Sequence, residues 1–167
     1  MCNVKIQSPI VNPIVTLPSY KKWKVPVTYV DQLVKQLGFR LLYPNGVHAW
    51  YSYTDIDGIA NLLPDLLLKS SLYKTDVFTC INYAFKVWNV CAEKYGLNSW
   101  VPVIGSKAGA KDRHAWNLIM VGDRTGLKKE DFLFFEPNSG WDMGELEMAY
   151  QAFPIGEEGY TGEYVFY

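Results

Sequence analysis

The chain has 167 residues and a formal net charge of −1, and it is 49% hydrophobic and 20% charged. This length and balance predict one globular domain, spanning residues 1–167, and exclude a disordered protein. A charge so close to zero gives no basic field for nucleic acid, and no apolar run approaches the roughly 18 residues that a membrane helix needs. The N-terminus lacks the layout of a signal peptide, so we expect a cytoplasmic protein, or one released by lysis or by a dedicated export machine.

The N-terminal segment, residues 1–28, contains several prolines with β-branched residues between them. Proline is excluded from helix interiors and from central strands, so this segment is predicted to be an extended arm. A helix follows, for which Thr28 and Asp31 form a capping box and Gly38 provides the stop.

An Asn45-Gly46 pair between residues 39–43 and 47–53 predicts a β-hairpin, because Asn-Gly favours the tightest hairpin turns. With the preceding helix, it makes up a predicted N-terminal helical and hairpin region. Residues 55–70 have helical character, and Pro64 is expected to divide them into two short helices or to kink one helix.

Residues 76–95 form the most regular predicted helix, because apolar side chains recur on one face of it. Asp76 or Thr75 is its predicted N-cap, and Gly96 is its predicted stop. Beyond this helix, the sequence predicts strands at 101–104, 114–121, 132–137 and 164–167, a turn region at 122–126, a helix at 144–153 and a loop at 156–162.

The cysteines Cys2, Cys80 and Cys91 are too few, and odd in number, for a disulfide framework. If Cys80 and Cys91 share one helix, a rise of about 1.5 Å per residue separates them by about 16 Å, which is too far for a disulfide. The sequence has no Cys-x-x-Cys and no His-x-x-x-His pair, so we predict no metal and no other cofactor.

A cysteine, a histidine and an acidic residue follow one another along the chain, as Cys80, His114 and Glu136. A thiol needs a base to become a thiolate, and the base needs a third group that orients its ring. Cys80 lies near the start of the helix predicted at 76–95, where the helix dipole favours a thiolate. Cys91 lies in the middle of that helix and is expected to be an inert core thiol.

The strands that carry His114 and Glu136 bring these two side chains together if they form a hairpin. An antiparallel register centred on Thr125 places His114 opposite Glu136. Side-chain alternation puts Glu136 and Asn138 on the same face, so either of them is a candidate for the third group.

A simpler interpretation competes with this one. A cysteine near a helix start is usually a packing residue, and the triplet His114-Ala115-Trp116 is repeated as His48-Ala49-Trp50, where no chemistry is predicted. Unlike His114, however, His48 precedes the cysteine, and no Glu-Pro pair follows it.

Several motifs combine into one pattern. In chain order they are Cys80-x-x-Tyr83-Ala84, Gly96, Val101-x-Val103-x-Gly105, His114-Ala115-Trp116-Asn117 and Glu136-Pro137. The pattern resembles the transglutaminase-like branch of the papain-like cysteine peptidase superfamily. The resemblance implies an α+β fold in which the helix that bears the nucleophile packs on an antiparallel β-sheet. It also implies that Cys80 is the nucleophile, His114 the general base and acid, and Glu136 the orienting acid, where aspartate is commoner.

Two features of that family are missing. Papain-type enzymes carry a glutamine that binds the oxyanion a few residues before the cysteine, and this chain has none there. Tyr73 or the backbone N–H of Cys80 is the predicted substitute, unless the oxyanion site is incomplete. An aspartate often follows the cysteine by two positions; here that residue is Asn82, which is a further candidate for the oxyanion site or the groove.

We therefore predict a cysteine-dependent hydrolase that cleaves an amide bond through an acyl-enzyme. The expected partner is a peptide or protein substrate, including a cell-wall peptide, and no nucleic acid or membrane. Trp100, Trp116 and Trp141 are candidates for lining the substrate groove, with core packing as the alternative for Trp116. Two other functions stay open: a true transglutaminase, in which an amine replaces water, and a non-catalytic binding or assembly module that keeps the fold.

Overall fold

The computed structural model describes residues 18–42, 48–109, 111–138, 152–157 and 159–166. The α-helices in these residues are α1 (Val27–Gln36), α2 (Ile56–Leu66) and α3 (Cys80–Val90), and α3 continues as a short π-helix (Cys91–Tyr95). The strands are β1 (Trp23–Pro26), β2 (Arg40–Leu42), β3 (Trp50–Tyr53), β4 (Trp100–Lys107), β5 (His114–Met120), β6 (Phe132–Phe135), β7 (Ala152–Pro154) and β8 (Tyr160–Phe166). This mixture confirms the predicted α+β class. None of the described helices has the length and apolar character to cross a membrane.

Most of the described strands form one sheet, in the order β2-β8-β4-β5-β6-β7. Neighbouring strands in it are antiparallel, except that β2 and β8 are parallel. Strands β1 and β3 form a separate antiparallel pair. His114 opens β5 and Glu136 directly follows β6, so the two residues lie on adjacent strands in the middle of the sheet.

Side chains alternate along β5 and enter two hydrophobic cores on opposite faces of the sheet. Trp116, Leu118 and Met120 belong to a core shared with α1 and the β1–β3 pair, whereas Ile119 belongs to a core shared with α2 and α3. Every residue of β5 is buried. Burial on both faces explains why the sequence of β5 is almost continuously apolar, and it gives the residues at the strand ends a rigid support.

The predicted N-terminal hairpin is wrong. β2 pairs in parallel with β8, and β3 pairs with β1. An Asn-Gly pair indicates that the chain turns, but it does not decide which strands pair, and each of these strands pairs with a segment distant in sequence. The turn itself, at residues 43–47, lies outside the described residues. Residues 1–17 of the predicted arm also lie outside them, while Trp23–Pro26 forms β1 and α1 follows at once.

The helix signals of the first half are correct in part. Pro26 is the N-cap of α1 and no side chain caps it, so the predicted capping box of Thr28 and Asp31 is wrong, because the helix already includes both residues. Gly38 follows α1 with a φ of 91°, as its predicted role as a stop requires. Pro64 lies near the end of α2, which is one helix with no second α-helix after it in the described residues up to α3.

The C-terminal part departs from the predictions in two places. Residues 144–151 of the predicted helix lie outside the described residues, and its last two positions belong to strand β7. Residues 160–162, predicted as loop, are part of strand β8. Gly162 suggested a loop, but in the structure it allows two segments to pack closely, because a side chain at this position would collide with the ring of Phe39.

Gly105 is a second glycine of this kind, at the point where β4 and β8 shift their register. A Cβ atom there would collide with the backbone of Thr161 and with the ring of Trp116. We expect Gly105→Ala to lower the free energy of unfolding by about 1–3 kcal/mol, because a backbone cannot yield as a flexible side chain can. Urea denaturation measures the loss. Ser106→Ala, at the exposed next position, is the control and should stay within about 0.5 kcal/mol of the wild type; equal stability of both variants would contradict this packing.

Candidate active site

Cys80 is the first residue of α3, and Thr79 is the N-cap. The predicted N-caps Asp76 and Thr75 are wrong, because α3 begins only at Cys80; Asp76 has a φ of 62°, so a helix capped by Thr75 could not include it. Asn82 closes the first turn: its Oδ1 accepts hydrogen bonds from the Thr79 N–H at 2.9 Å and the Thr79 hydroxyl at 3.2 Å. Cys80 therefore lies at the positive end of the helix dipole, where a thiolate is stabilised.

The position of α3 on the sheet is fixed by a buried amide. Asn117, in the middle of β5, is fully buried, and its Nδ2 donates to the backbone carbonyl of Ala84 in α3 at 3.0 Å and to that of Trp100 in β4 at 2.9 Å. The hydroxyl of Tyr83, also fully buried, donates to the backbone carbonyl of Lys69 at 2.8 Å. The Asn117 contacts hold the helix against β4 and β5, so that its first turn meets the start of β5, and the Tyr83 contact ties the helix to the segment that follows α2.

Cys80 and His114 meet at this junction. The two side chains are hydrogen-bonded, and the backbone N–H groups of Ala115 and Ile81 also interact with the sulfur. Burial of the half-buried thiol raises its pKa, but the hydrogen bond and the charge of His114, together with the two N–H groups, outweigh burial and lower the pKa of Cys80. Cys91 shows the opposite behaviour: it is fully buried, and burial raises the pKa of its thiol well above the ordinary value.

His114 also contacts Glu136. Its Nε2 lies 2.6 Å from Glu136 Oε2, and the two side chains are 3% and 1% exposed. Burial favours the neutral ring, but the hydrogen bonds to Cys80 and Glu136 and the charges of both groups raise the pKa of His114 to about 9. Because Nε2 contacts the carboxylate, Nδ1 is the ring nitrogen that is left to interact with the thiol of Cys80. At neutral pH these shifts favour a thiolate beside an imidazolium.

Within the described residues, two further groups donate to Glu136. The backbone N–H of Asn138 donates to Oε1 at 3.0 Å, and the Tyr160 hydroxyl donates to Oε2 at 3.2 Å. Asn138, the alternate candidate for the third position, thus holds the carboxylate through its main chain, while Glu136 makes the contact to the imidazole. Sequence reasoning missed Tyr160, because its strand was predicted as loop.

The register of β5 and β6 differs from the predicted one by two residues. Asn117 pairs with Phe135, which centres the register on Gly126 rather than on Thr125. Continued along the strands, this register places Glu136 opposite Trp116 instead of opposite His114. Because a shift by two residues keeps every side chain on its face, the carboxylate still reaches the imidazole as a diagonal neighbour.

The predicted groove residues lie in different environments. Trp116 is fully buried, with its ring stacked on that of His114 at 5.8 Å, so it supports the histidine from the core and does not line a groove. Trp100 is also fully buried, because its ring packs edge-to-face on Phe135. Trp141 lies outside the described residues. Tyr73 is 42% exposed, on the segment that leads into α3.

The backbone N–H of Cys80 remains the candidate for binding an oxyanion. The N–H of Cys80 is at the first position of α3, where helical N–H groups have no acceptor within the helix. Asn82 uses its Oδ1 for the cap instead. In the part of the chain that the structure describes, no group of three or more His, Cys, Asp or Glu side chains is arranged to hold a metal ion.

The site thus consists of a thiol, an imidazole and a carboxylate connected in series by hydrogen bonds, each on a different element of the core. Such a series can generate a nucleophile and move a proton without any other group. Neither the comparison with protein-family models nor the comparison with curated proteins gives a match to this sequence.

Proposed function

We propose that this protein is a cysteine-dependent hydrolase that cleaves an amide bond, in a peptide or an isopeptide, through Cys80, His114 and Glu136. One observation carries the proposal: a thiol with a lowered pKa at a helix start is hydrogen-bonded to an imidazole whose pKa is raised to about 9. A cysteine that serves packing needs no such partner, as Cys91 illustrates on the continuation of the same helix.

The reaction uses the thiolate–imidazolium pair in two steps. The Cys80 sulfur attacks the amide carbon, and the oxyanion that forms accepts a hydrogen bond from the Cys80 N–H. His114 donates its proton to the leaving nitrogen, so that the C–N bond breaks and a thioester remains. A water molecule then gives a proton to His114 and attacks the thioester. The C–S bond breaks, the acid leaves, and the initial pair is restored.

The architecture supports placing this chain with the papain-like and transglutaminase-like folds. In that arrangement, the helix with the nucleophile packs on an antiparallel sheet that carries the histidine and the acid. Here, α3 packs on β4 and β5, His114 opens β5, and Glu136 follows β6.

The segment before the nucleophile supports a peptide as the substrate. Leu72, Tyr73 and Val77 are exposed hydrophobic side chains on the stretch that leads into Cys80. Exposed apolar side chains that lie close together mark contact surfaces for other molecules. A peptide that reaches Cys80 past this segment would bury apolar side chains of its own against it.

Alkylation by iodoacetamide tests the proposal without a known substrate. At about pH 6, an ordinary thiol is almost fully protonated and reacts slowly, whereas a thiolate held by an imidazolium reacts fast. We expect Cys80 to be alkylated at least about tenfold faster than Cys2 or Cys91 under these conditions. Peptide mass spectrometry distinguishes the three sites. Slow and similar alkylation at all three sites would favour the non-catalytic module.

The same protein, incubated with a peptide library derived from a proteome, tests the reaction itself. The wild type should generate new termini, and Cys80→Ala should not; cleavage by this variant at the wild-type rate would end the hydrolase proposal. Cys91→Ala is the matched control. A primary amine added to the reaction distinguishes the two chemistries, because a transglutaminase would couple the amine to glutamine side chains in place of hydrolysis.

A further inference from the structure

We propose that Tyr160 is a positioning residue for the reaction, which acts on Glu136 and holds it as the charged partner of His114; this rests on the function proposed above. Tyr160 lies on β8, distant in sequence from both residues. In the strand order of the sheet, β8 and β6 lie on opposite sides of β5, so the carboxylate is held between two parts of the fold.

The contact itself is specific. The Tyr160 hydroxyl donates to Glu136 Oε2 at 3.2 Å, and this is the oxygen that lies 2.6 Å from His114 Nε2. Tyr160 is 1% exposed, as is Glu136. A carboxylate so deeply buried needs hydrogen-bond donors that replace the water it has lost. The hydroxyl is one of the donors that do so.

Gly105 lies between the strand that carries Tyr160 and the strand that carries His114. In the sheet, β4 lies between β8 and β5, and Gly105 pairs with His114 on one side and with Gly162 on the other. Tyr160 itself pairs with Lys107, two residues further along β4. The missing side chain at Gly105 leaves room for the ring of Trp116, which packs edge-on against the ring of Tyr160. A larger residue at position 105 would collide with Trp116.

Aromatic rings fix the direction of the hydroxyl. The ring of Tyr160 lies edge-on against Trp116 at 4.9 Å, 5.0 Å from the ring of Phe153 and 6.0 Å from that of His114. A buried ring in such contacts has little freedom to rotate away. The hydroxyl therefore faces Glu136 before any substrate arrives, and the carboxylate needs no reorientation during the reaction.

The consequence is a testable link between a distant hydroxyl and the nucleophile. Without the hydroxyl, Glu136 Oε2 is held less firmly toward His114 Nε2, so the imidazolium is less well stabilised by the carboxylate. The thiolate, which the imidazolium stabilises, then forms at a higher pH. A residue that only filled the core would affect stability without moving this titration.

Tyr160→Phe keeps the ring and removes the hydroxyl. We expect the acidic limb of the pH profile for Cys80 alkylation by iodoacetamide to move upward by about one pH unit, the size that a hydrogen bond to a charged group supports. 4-Fluorophenylalanine at position 160 fills the volume of the hydroxyl but donates no hydrogen bond. It should give the same shift, and it replaces Tyr160→Phe in the experiment if that variant folds poorly. Tyr53→Phe is the control, because it removes another buried hydroxyl, one that donates to the backbone carbonyl of Arg124 at 2.5 Å.

The outcomes separate the two proposals. A wild-type profile with the acidic limb of an ordinary thiol would overturn the hydrolase and, with it, the role of Tyr160. A shifted wild-type limb that moves in Glu136→Gln but stays in place in both Tyr160 variants would overturn the role of Tyr160 alone. An upward shift in both Tyr160 variants, with none in Tyr53→Phe, would support it.

Discussion

Replacing His114 by alanine should slow the alkylation of Cys80 about 100-fold at about pH 6 and reduce amide hydrolysis about 1,000-fold or more. The reason lies in the balance that sets the thiol pKa. Burial raises it, and the hydrogen bond and charge of His114 are the leading influences that lower it. Without the imidazole, burial prevails, and the nucleophile is protonated at neutral pH.

His48 offers a matched control, since it is the other of the two histidines in the sequence and also lies in a His-Ala-Trp triplet. It precedes β3, and the carbonyl of the next residue, Ala49, accepts a hydrogen bond from the N–H of Val27, the first residue of α1. His48→Ala should therefore alkylate and hydrolyse like the wild type. Unchanged alkylation in His114→Ala, at a pH where the wild type reacts fast, would show that the imidazole does not activate the thiol.

The pH dependence of hydrolysis follows from the pKa values of Cys80 and His114. The pKa of His114 is raised to about 9, so the ring is protonated below that pH and can donate to the leaving nitrogen. As the pH rises through about 9, the imidazolium loses its proton and the rate should fall. At the acidic end, the rate should fall when the thiolate takes up a proton, at a pH below the ordinary thiol range because the pKa of Cys80 is lowered.

The sequence predicts most where the signals are local. The apolar spacing in residues 76–95 and the stop at Gly96 locate the helix that carries the nucleophile, and Gly96 indeed has the left-handed φ of 63° that ends it. The start was misplaced by several residues, since nothing in the sequence shows that Asp76 takes up a positive φ. The cap is Thr79, three residues after Asp76, and it places Cys80 at the first helical position.

Strand pairing was predicted poorly in the first half, because it depends on contacts that are distant in sequence. Arg40 is across from Tyr164, and Trp23 is across from Tyr53. A hairpin signal at Asn45-Gly46 contains no information about either pair. The central strands were predicted well by contrast, since β5 and β6 are neighbours in sequence with a continuous apolar pattern.

The candidate site combines features that follow from local sequence signals with features that depend on contacts between distant residues. Cys80, His114 and Glu136 were selected from chemistry and chain order, and the face of the sheet they share follows from the period of two. The choice between Glu136 and Asn138 needed the actual register, which a turn of unknown shape could not supply. The sequence gives no sign of Tyr160, because the glycines around it indicate a loop. In the structure, Gly162 instead permits a close approach to Phe39.

Substitution of Glu136 is expected to have the second large effect, on the stability of the fold as well as on the reactivity of Cys80. Its carboxylate is 1% exposed and paired with the imidazole at 2.6 Å. Glu136→Ala removes one partner of a buried pair and leaves the other without its counter-charge, so we expect the free energy of unfolding to fall by about 3–5 kcal/mol at neutral pH. Urea denaturation at about pH 7 measures the loss.

Glu136→Gln separates charge from shape. The amide fills the same volume and can still accept a hydrogen bond from Nε2, so the loss of stability should be smaller than in the alanine variant. The negative charge is gone, however, and the charge of Glu136 is one of the influences that raise the pKa of His114. The thiolate should then be less stable, and alkylation of Cys80 at about pH 6 should slow about tenfold or more.

Glu163 provides the comparison that tests this reasoning, because it forms an ion pair with Arg113, the residue before His114. That pair is solvent-exposed, with side chains that are 54% and 43% accessible. Exposed pairs contribute about 0–1 kcal/mol, so Glu163→Gln should change stability by no more than that and leave Cys80 alkylation as it is. If Glu136→Gln and Glu163→Gln behaved alike in both measurements, the buried acid beside His114 would not contribute to the activation of Cys80. The site would then consist of Cys80 and His114 alone.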